Sequence, residues 1–463
     1  MRERLGSRLG FILLSAGCAI GLGNIWRFPY VAGQNGGGLF VLLYLFFLAA
    51  LALPVLVMEF AAGRAAQRSI AGIHAALTPE RSPWRLHGLA GVLGCTLLMS
   101  FYTTVTGWML IYFFKTAAGD FAGLGPQEIG GAFGRMLGSA PLQSAATLAV
   151  VLGSAGILAI GLQKGLERVA KWMMAALLVL ILVLAGNSLR LDGALEGVRF
   201  YLVPSLANMQ KAGVAKVVVE AMNQAFFTLS LGIGSMAIFG SYIERRRTLL
   251  GEALNVAALD TFVALSAGLI ILPACAAFGV PQGSGPGLIF VTLPNVFNQM
   301  PAGRLWGSLF FLFMSCAALT TVLAVFECIV AGIRDYTRWN RPKACAVLAA
   351  TVSVTSLPCI LGFNAWSAFK PFGEGSCVLD LEDFVVSNFL LPLGGLCFAL
   401  YCTRRFGWGW TKFVDEANAG TGPRLPTGRA GALLHAYCAY VLPVVILAVF
   451  VLGLLAKFKV LTW

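Results

Sequence analysis

The stretch Gly17-Cys18-Ala19-Ile20-Gly21-Leu22-Gly23-Asn24-Ile25-Trp26-Arg27-Phe28-Pro29 decides the fold of this 463-residue chain. From Leu9 to Pro29 the sequence is apolar enough to enter a bilayer, yet three glycines, an asparagine and an arginine interrupt its middle. In hydrocarbon every backbone N–H and C=O must be satisfied internally, so irregular backbone survives only where protein buries it or where it lines a watery cavity. A segment that is long enough to span but built to unwind halfway is therefore a candidate solute or ion site. The competing reading is a Gly-rich helix packed tightly on a neighbour, because small residues are common at membrane helix contacts.

The rest of the chain supplies the membrane context. With 58% hydrophobic residues, 11% charged residues and a mean hydropathy of +0.82, it is not an ordinary soluble protein. Apolar stretches of membrane-crossing length recur at 8–32, 38–63, 88–115, 144–163, 167–189, 217–242, 251–278, 305–333, 343–362, 384–403 and 432–456. The expectation is an all-α polytopic membrane protein with eleven crossings in a single domain, 1–463. No small-residue cleavage pattern follows the first span, which ends beyond Arg27, so it does not read as a removable signal sequence.

The net charge of +13 does not point to nucleic acid. With the N-terminus inside, inner loops hold 22 of the 33 Lys and Arg residues and outer segments hold 10. Excess positive charge on the cytoplasmic side is the expected topological signal. This predicts residence in the cell's inner (plasma) membrane with the N-terminus cytoplasmic and the C-terminus, including Lys457 and Lys459, outside. The eleven cysteines are scattered without a CxxC and read as free buried thiols; Cys359 and Cys377 are the one pair near the outer face that could bridge. His74, His87 and His435 fall in or beside inner loops and read as loop residues, not metal ligands.

A second interrupted span follows at Gln224-Ala225-Phe226-Phe227-Thr228-Leu229-Ser230-Leu231-Gly232-Ile233-Gly234. Five spans separate its start from that of the first, so a five-helix unit inverts when it repeats. The expected plan is a first repeat over 1–189 (helices 1–5), a second over 190–403 (helices 6–10), and an inner loop with an eleventh helix over 404–463. Paired Gly-interrupted spans are the best sequence pointer to a transporter site at the bilayer midplane. Half-helix N-termini offer N–H groups to a carboxylate, and freed carbonyls can coordinate a cation. Asp260 sits deep in the seventh span, where a charge is by default a functional hypothesis; a neutral, hydrogen-bonded core Asp is the alternative. Thr320 and Thr321 are adjacent hydroxyls in the eighth span, although Thr often back-bonds to its own helix.

Together, Arg8-Leu9-Gly10 through Pro29, Asn35-Gly36-Gly37-Gly38, Phe226 through Gly234 and Ala317 through Thr321 resemble the neurotransmitter:sodium symporter family, in particular its bacterial eleven-helix amino-acid transporters. The resemblance covers essentially the whole chain. It implies a substrate carboxylate held by the N–H groups of Leu22 and Gly23, the Tyr102 hydroxyl and a first sodium ion. It implies an amino group on the carbonyls of Ala19, Phe227 and Thr228, with Ser230 nearby, and a side-chain pocket of Leu98, Tyr102, Phe227, Ser230, Ile233 and Val325. None of those six is charged, so a neutral, largely apolar amino acid fits, aliphatic or aromatic, with aromatic side chains slightly favoured by Ile233 and the short Val325.

The same resemblance implies two sodium ions. The first would use Ala19, Asn24, Thr228 and Asp260; the second would use Gly17, Ile20, Ala317, Thr320 and Thr321. Many relatives carry Asn at the Asp260 position and balance charge with chloride. Here Ala264 lacks the hydroxyl of chloride-dependent members and Asp260 supplies the charge, so no chloride requirement is expected; Tyr44 and Gln224 would be remnants of that shell. Arg27 and Asp383 are the expected outer gate above a lid of Tyr102 and Phe227, and Arg2 and Asp335 the inner gate, supported by Ser241 and Tyr242.

Two positions depart from the family pattern. Leu5 stands where relatives usually have Trp, which weakens the inner plug, and Ala175 stands where many have Pro, which makes the fifth helix harder to unwind. The function implied is sodium-coupled symport of an amino acid by alternating access, with a sensor or receptor on the same fold as the alternative. No HExxH, Ser-His-Asp set or haem-type His pair points to an enzyme.

Overall fold

The computed structural model describes residues 3–79, 82–279 and 286–458. Among them are nine helices long and apolar enough to cross a membrane: α3 (Gly38–Ala66), α5 (Arg85–Ala118), α6 (Ala140–Ile160), α7 (Leu162–Ser188), α10 (Leu249–Ala277), α11 (Gly303–Thr337), α12 (Arg341–Leu361), α13 (Val378–Thr403) and α15 (Gly428–Lys457). A tenth crossing is the pair α1 (Arg8–Ala19) and α2 (Gly23–Gln34), bent by 58° at the break. The sixth span consists of two shorter helices, α8 (Val214–Thr228) and α9 (Ser235–Gly240), on either side of a non-helical stretch at 229–234. Two short helices at the N-terminal face complete the frame used below: α4 (Ile70–Leu77) and α14 (Trp410–Ala417).

The breaks follow from the residues at them. Ile20 leaves helical geometry at φ −70°, ψ 93°, which stops α1 and frees its last carbonyls. The chain re-enters a helix through a wide, π-type turn at Gly23–Arg27, a feature that recurs at functional sites. In the sixth span Ser230, Gly232 and Gly234 take positive φ values of 50°, 102° and 75°, which end α8 and re-aim the chain. Between α2 and α3, Gly36 and Gly37 also turn left-handed (φ 83° and 67°), and a Cβ on Gly37 would collide with the backbone of Phe200.

The interrupted segments form the centre. α1 packs on α7, α9, α10 and α11, and the two longest helices, α5 and α11, run against each other. Large apolar side chains on the perimeter, among them Phe46, Leu152, Trp172 and Leu182, are exposed, as lipid-facing residues are. Ala175 is exposed within the unbroken stretch of α7, so nothing locally weakens that helix.

All eleven cysteines are free, including Cys359 and Cys377, as read from the sequence. The reading of His74 and His87 as loop residues is corrected. His74 lies in α4 and His87 in the first turn of α5, both buried. They pair with each other, His74 Nε2 to His87 Nδ1 at 3.0 Å, and His87 Nε2 reaches the Gly232 carbonyl at 3.3 Å. A carbonyl only accepts, so His87 donates from Nε2 and His74 donates to its Nδ1. Burial, and then the neighbouring imidazole, push His74 down to about 3, so the ring is neutral. No group of three or more His, Cys, Asp or Glu among the described residues could hold a metal ion.

Candidate functional site

The two breaks bring together residues more than 200 positions apart. Asn24, just past the first break, donates from Nδ2 to Asp260 Oδ1 at 2.7 Å and to Thr228 Oγ1 at 3.1 Å. Thr228, the last residue of α8, donates to Asp260 Oδ2 at 2.7 Å. All three side chains are buried. The Asn24 amide, turned over, presents Oδ1, so the cluster can offer a hard cation oxygen atoms from three side chains. A buried carboxylate whose partners are neutral hydroxyl and amide groups lacks a compensating positive charge, and a cation would supply it.

A second oxygen cluster spans α1 and α11. Thr321 Oγ1 lies 3.1 Å from the Gly17 carbonyl, 3.1 Å from that of Ile20 and 3.3 Å from that of Ala317. Thr320 Oγ1 donates to the Ala317 carbonyl at 2.8 Å. Two of these carbonyls belong to the frayed end of α1, which explains why a hydroxyl from another helix can reach them. The residues expected to hold a second ion are thus gathered at one place.

Between the clusters lies a cavity of about 110 Å³, lined by Ala19, Leu22, Gly23, Asn24, Arg27, Leu98, Tyr102, Phe227, Ser230, Thr321 and Asp383, among others. The Leu22 N–H donates to the Tyr102 hydroxyl at 3.1 Å, which places a backbone donor and a phenol at the same point of the wall. Ile233 and Val325, expected in the side-chain pocket, are buried but absent from this lining; Ile233 instead lines a separate cavity with Trp84, His87 and Phe406. The left-handed turns at Ser230 and Gly232 carry Ile233 away. Sequence reading missed Trp26, Phe101, Val105, Leu379, Val386 and Leu391, which do line it. Most of these stand on helices the motifs do not cover, and no local signal marks them.

Around the chloride-shell positions, the Tyr44 hydroxyl lies 3.5 Å from Thr228 Oγ1, and Gln224 Nε2 reaches the Gly23 carbonyl at 3.4 Å. Ala264 is buried and contributes no polar atom.

At the end of the cavity away from the N-terminal face, Arg27 and Asp383 share the lining but form no ion pair among the described residues. The Arg27 guanidinium instead lies over the Phe227 ring, 4.3 Å from its centroid, and Asp383 accepts from the Ser387 hydroxyl at 2.8 Å. The expected outer pair is therefore not closed here.

The N-terminal face is tied shut. Arg2 lies outside the described residues; Asp335 accepts from the Ser69 backbone and hydroxyl at 2.8 and 2.6 Å. The Tyr242 hydroxyl donates to Glu327 at 2.5 Å, and the Ser241 hydroxyl to the Ile238 carbonyl at 2.6 Å. Glu327 takes both arms of Arg341 at 2.7 and 2.8 Å, a bidentate pair that is almost fully buried. Glu3 bridges Arg334 and Arg341 at 2.7 and 2.9 Å and so pins the N-terminal segment to this network. Sequence reading missed Glu3, Glu327 and Arg341; an acid inside the eighth apolar span was the available signal for Glu327.

Comparison with known proteins bears on the family and the fold. A profile of the sodium:neurotransmitter symporter family matches residues 2–122 and 135–462. The sodium-dependent transporter YhdH of Bacillus subtilis (strain 168) is 38% identical over 395 residues, 85% of this chain and 86% of its own. The sodium-dependent transporter MJ1319 of Methanocaldococcus jannaschii is 32% identical over 432 residues, 88% of this chain and 82% of its own. The crystal structure of MhsT in complex with L-phenylalanine superposes with a TM-score of 0.86 at 36% identity, covering 98% of this chain and 100% of that one. The chain belongs to the sodium:neurotransmitter symporter family.

Proposed function

We propose that this protein couples sodium to the inward symport of a neutral, apolar amino acid by alternating access, with two sodium sites and no chloride requirement. Family membership makes it a transporter rather than an enzyme. The observation that carries the finer reading is the Asn24–Thr228–Asp260 cluster, which reaches the central cavity through Asn24. A cation there faces a substrate carboxylate held by the Leu22 and Gly23 N–H groups and Tyr102, so ion and substrate strengthen each other's binding through linkage.

The cavity wall supports the substrate class. Leu98, Phe101, Val105, Leu379, Val386 and Leu391 are apolar, and its charged side chains are Arg27 and Asp383, at one end. A charged substrate side chain would be buried without a partner. Aromatic capacity is favoured by Phe101, Tyr102, Phe227 and Trp26 in the lining and by the L-phenylalanine bound to MhsT. Thr320 and Thr321 with the carbonyls of Gly17, Ile20 and Ala317 support the second sodium. Asp260 and Ala264 support chloride independence.

The asymmetry of the two faces supports a cycle. The N-terminal face is clasped by Glu3, Arg334 and Arg341 while Arg27 and Asp383 stand apart, the arrangement of a carrier closed toward its N-terminal side. Positive charge on that face supports a cytoplasmic orientation for it. The test is binding of radiolabelled leucine, tyrosine and tryptophan to purified protein, in sodium or potassium, with and without chloride. Saturable binding in sodium alone, indifferent to chloride and followed by flux into sealed vesicles, is expected. Binding indifferent to sodium sinks the symport reading, and binding without flux favours a sensor.

A further inference from the structure

A second polar cavity, of about 370 Å³, lies at the N-terminal face between the N-terminal segment, the turn after α9 and the first turn of α10. It shares no lining residue with the central cavity. Three of its arginines are paired: Arg4 and Arg246 with Glu244 at 2.8 and 2.5 Å, and Arg8 with Glu252 Oε1 at 2.9 Å. One carboxylate oxygen and one exposed guanidinium have no partner among the described residues. Glu252 is 2% exposed, yet its Oε2 has no hydrogen-bond partner, and the Arg247 guanidinium has none among the described residues.

An unpaired carboxylate oxygen held in a nearly buried position costs stability unless something meets it. Leu5, a short aliphatic side chain, leaves room in the apolar part of the wall, which it shares with Phe11 and Ile243. The boundary with lipid is near: Leu9, beside Arg8, is 60% exposed, and Leu254, two residues past Glu252, is 44% exposed.

We propose that this cavity binds a primary ammonium joined by a short linker to an anion. The ammonium donates to Glu252 Oε2, and the anion pairs with Arg247. A phosphoethanolamine lipid headgroup and a free α-amino acid share this chemistry. A quaternary ammonium does not, because it has no N–H to give. The inference does not depend on what the central cavity carries.

The full-length protein in detergent, in sodium-free potassium buffer, is titrated by calorimetry with phosphoethanolamine, leucine and phosphocholine. Saturable binding of phosphoethanolamine is expected, with phosphocholine weaker by roughly tenfold or more. Leucine binding alongside it identifies free solute as a source, and phosphoethanolamine alone identifies the lipid headgroup. Leu5→Trp, which fills the cavity, abolishes the binding, and Glu252→Gln weakens it by about tenfold. Retention of sodium-dependent amino-acid binding by Leu5→Trp shows that the variant is folded. Asp260→Ala removes the sodium-dependent binding and leaves this binding unchanged, so failure of either reading is seen separately. No saturable binding of phosphoethanolamine or leucine, equal binding of phosphocholine, or an unchanged Leu5→Trp overturns the proposal and leaves a cavity that holds only water.

Discussion

Thr228 donates its hydroxyl hydrogen to Oδ2 of Asp260 at 2.7 Å, joining the end of one broken helix to a carboxylate buried in another. With Asn24 on the other carboxylate oxygen, Asp260 has neutral partners on both sides. In the proposed first sodium site, the charge of Asp260 is the feature the ion would read. Asp260→Asn keeps the shape and removes the charge, so sodium affinity should fall by about 10–100-fold. Because Ala264 offers chloride no hydroxyl, adding chloride should not rescue this variant, whereas Asp260→Asn with Ala264→Ser should regain binding in chloride. Sodium titrations of amino-acid binding in chloride and gluconate check both. An unchanged sodium dependence in Asp260→Asn would remove the first ion site.

Thr321 approaches three carbonyls from two helices. Thr321→Val keeps the packing and deletes the oxygen, which should weaken sodium binding by roughly tenfold and lower the steepness of the sodium titration. Direct sodium binding by scintillation proximity measures this. If steepness and midpoint both match the wild type, the second cluster is structural.

The Tyr102 hydroxyl accepts from the Leu22 N–H at 3.1 Å. Tyr102→Phe leaves that donor without its protein acceptor and removes one group from the carboxylate end of the cavity. Amino-acid affinity should drop by about tenfold while sodium affinity measured without substrate stays unchanged. Equal losses in both would mean that Tyr102 shapes the fold rather than the substrate.

Glu3 gives the N-terminal clasp a pH dependence. Burial alone would raise its pKa, but the guanidinium of Arg341, and then that of Arg334, outweigh it and hold the carboxyl below its ordinary value of 4.5. A depressed carboxyl contributes stability that is present above its ordinary value and lost as pH falls through the lowered one. Hydrogen exchange of residues 3–10, corrected for the intrinsic pH dependence of exchange, should therefore stay slow from neutral pH down to 4.5 and accelerate below it. Glu3→Gln should remove that transition and speed exchange at neutral pH by up to about fivefold, the scale of a partly exposed pair. An identical profile in Glu3→Gln would show that the clasp does not need this carboxylate.

How much was legible varied with the kind of signal. Long apolar runs bounded by glycine and charge located the nine membrane-length helices and the bent first pair found among the described residues, because length and hydropathy are local properties. Asp260 was legible from its own position, a polar group where hydrocarbon penalises it, whereas the membership of the two oxygen clusters came from the family resemblance. The resemblance put Ile233 in the side-chain pocket, whereas here it follows left-handed turns at Ser230 and Gly232 and lines a separate cavity. Arg27 was expected on Asp383 and rests on Phe227 instead, a choice between two partners that sequence does not rank. His74 read as a loop residue because α4 is too short to show a period, and His87 because it sits in the first turn of α5, just before the apolar run begins.

The peptide groups of Gly232 carry one further consequence. Its N–H is taken by Glu59 of α3 at 2.5 Å, and its carbonyl by His87 of α5 at 3.3 Å. A swivel must have slack, and a residue gripped on both sides by two other helices has none. Although it lacks helical hydrogen bonds, the unwound part of the sixth crossing is a fixed splice at Gly232, and whatever rocks during a cycle must pivot elsewhere.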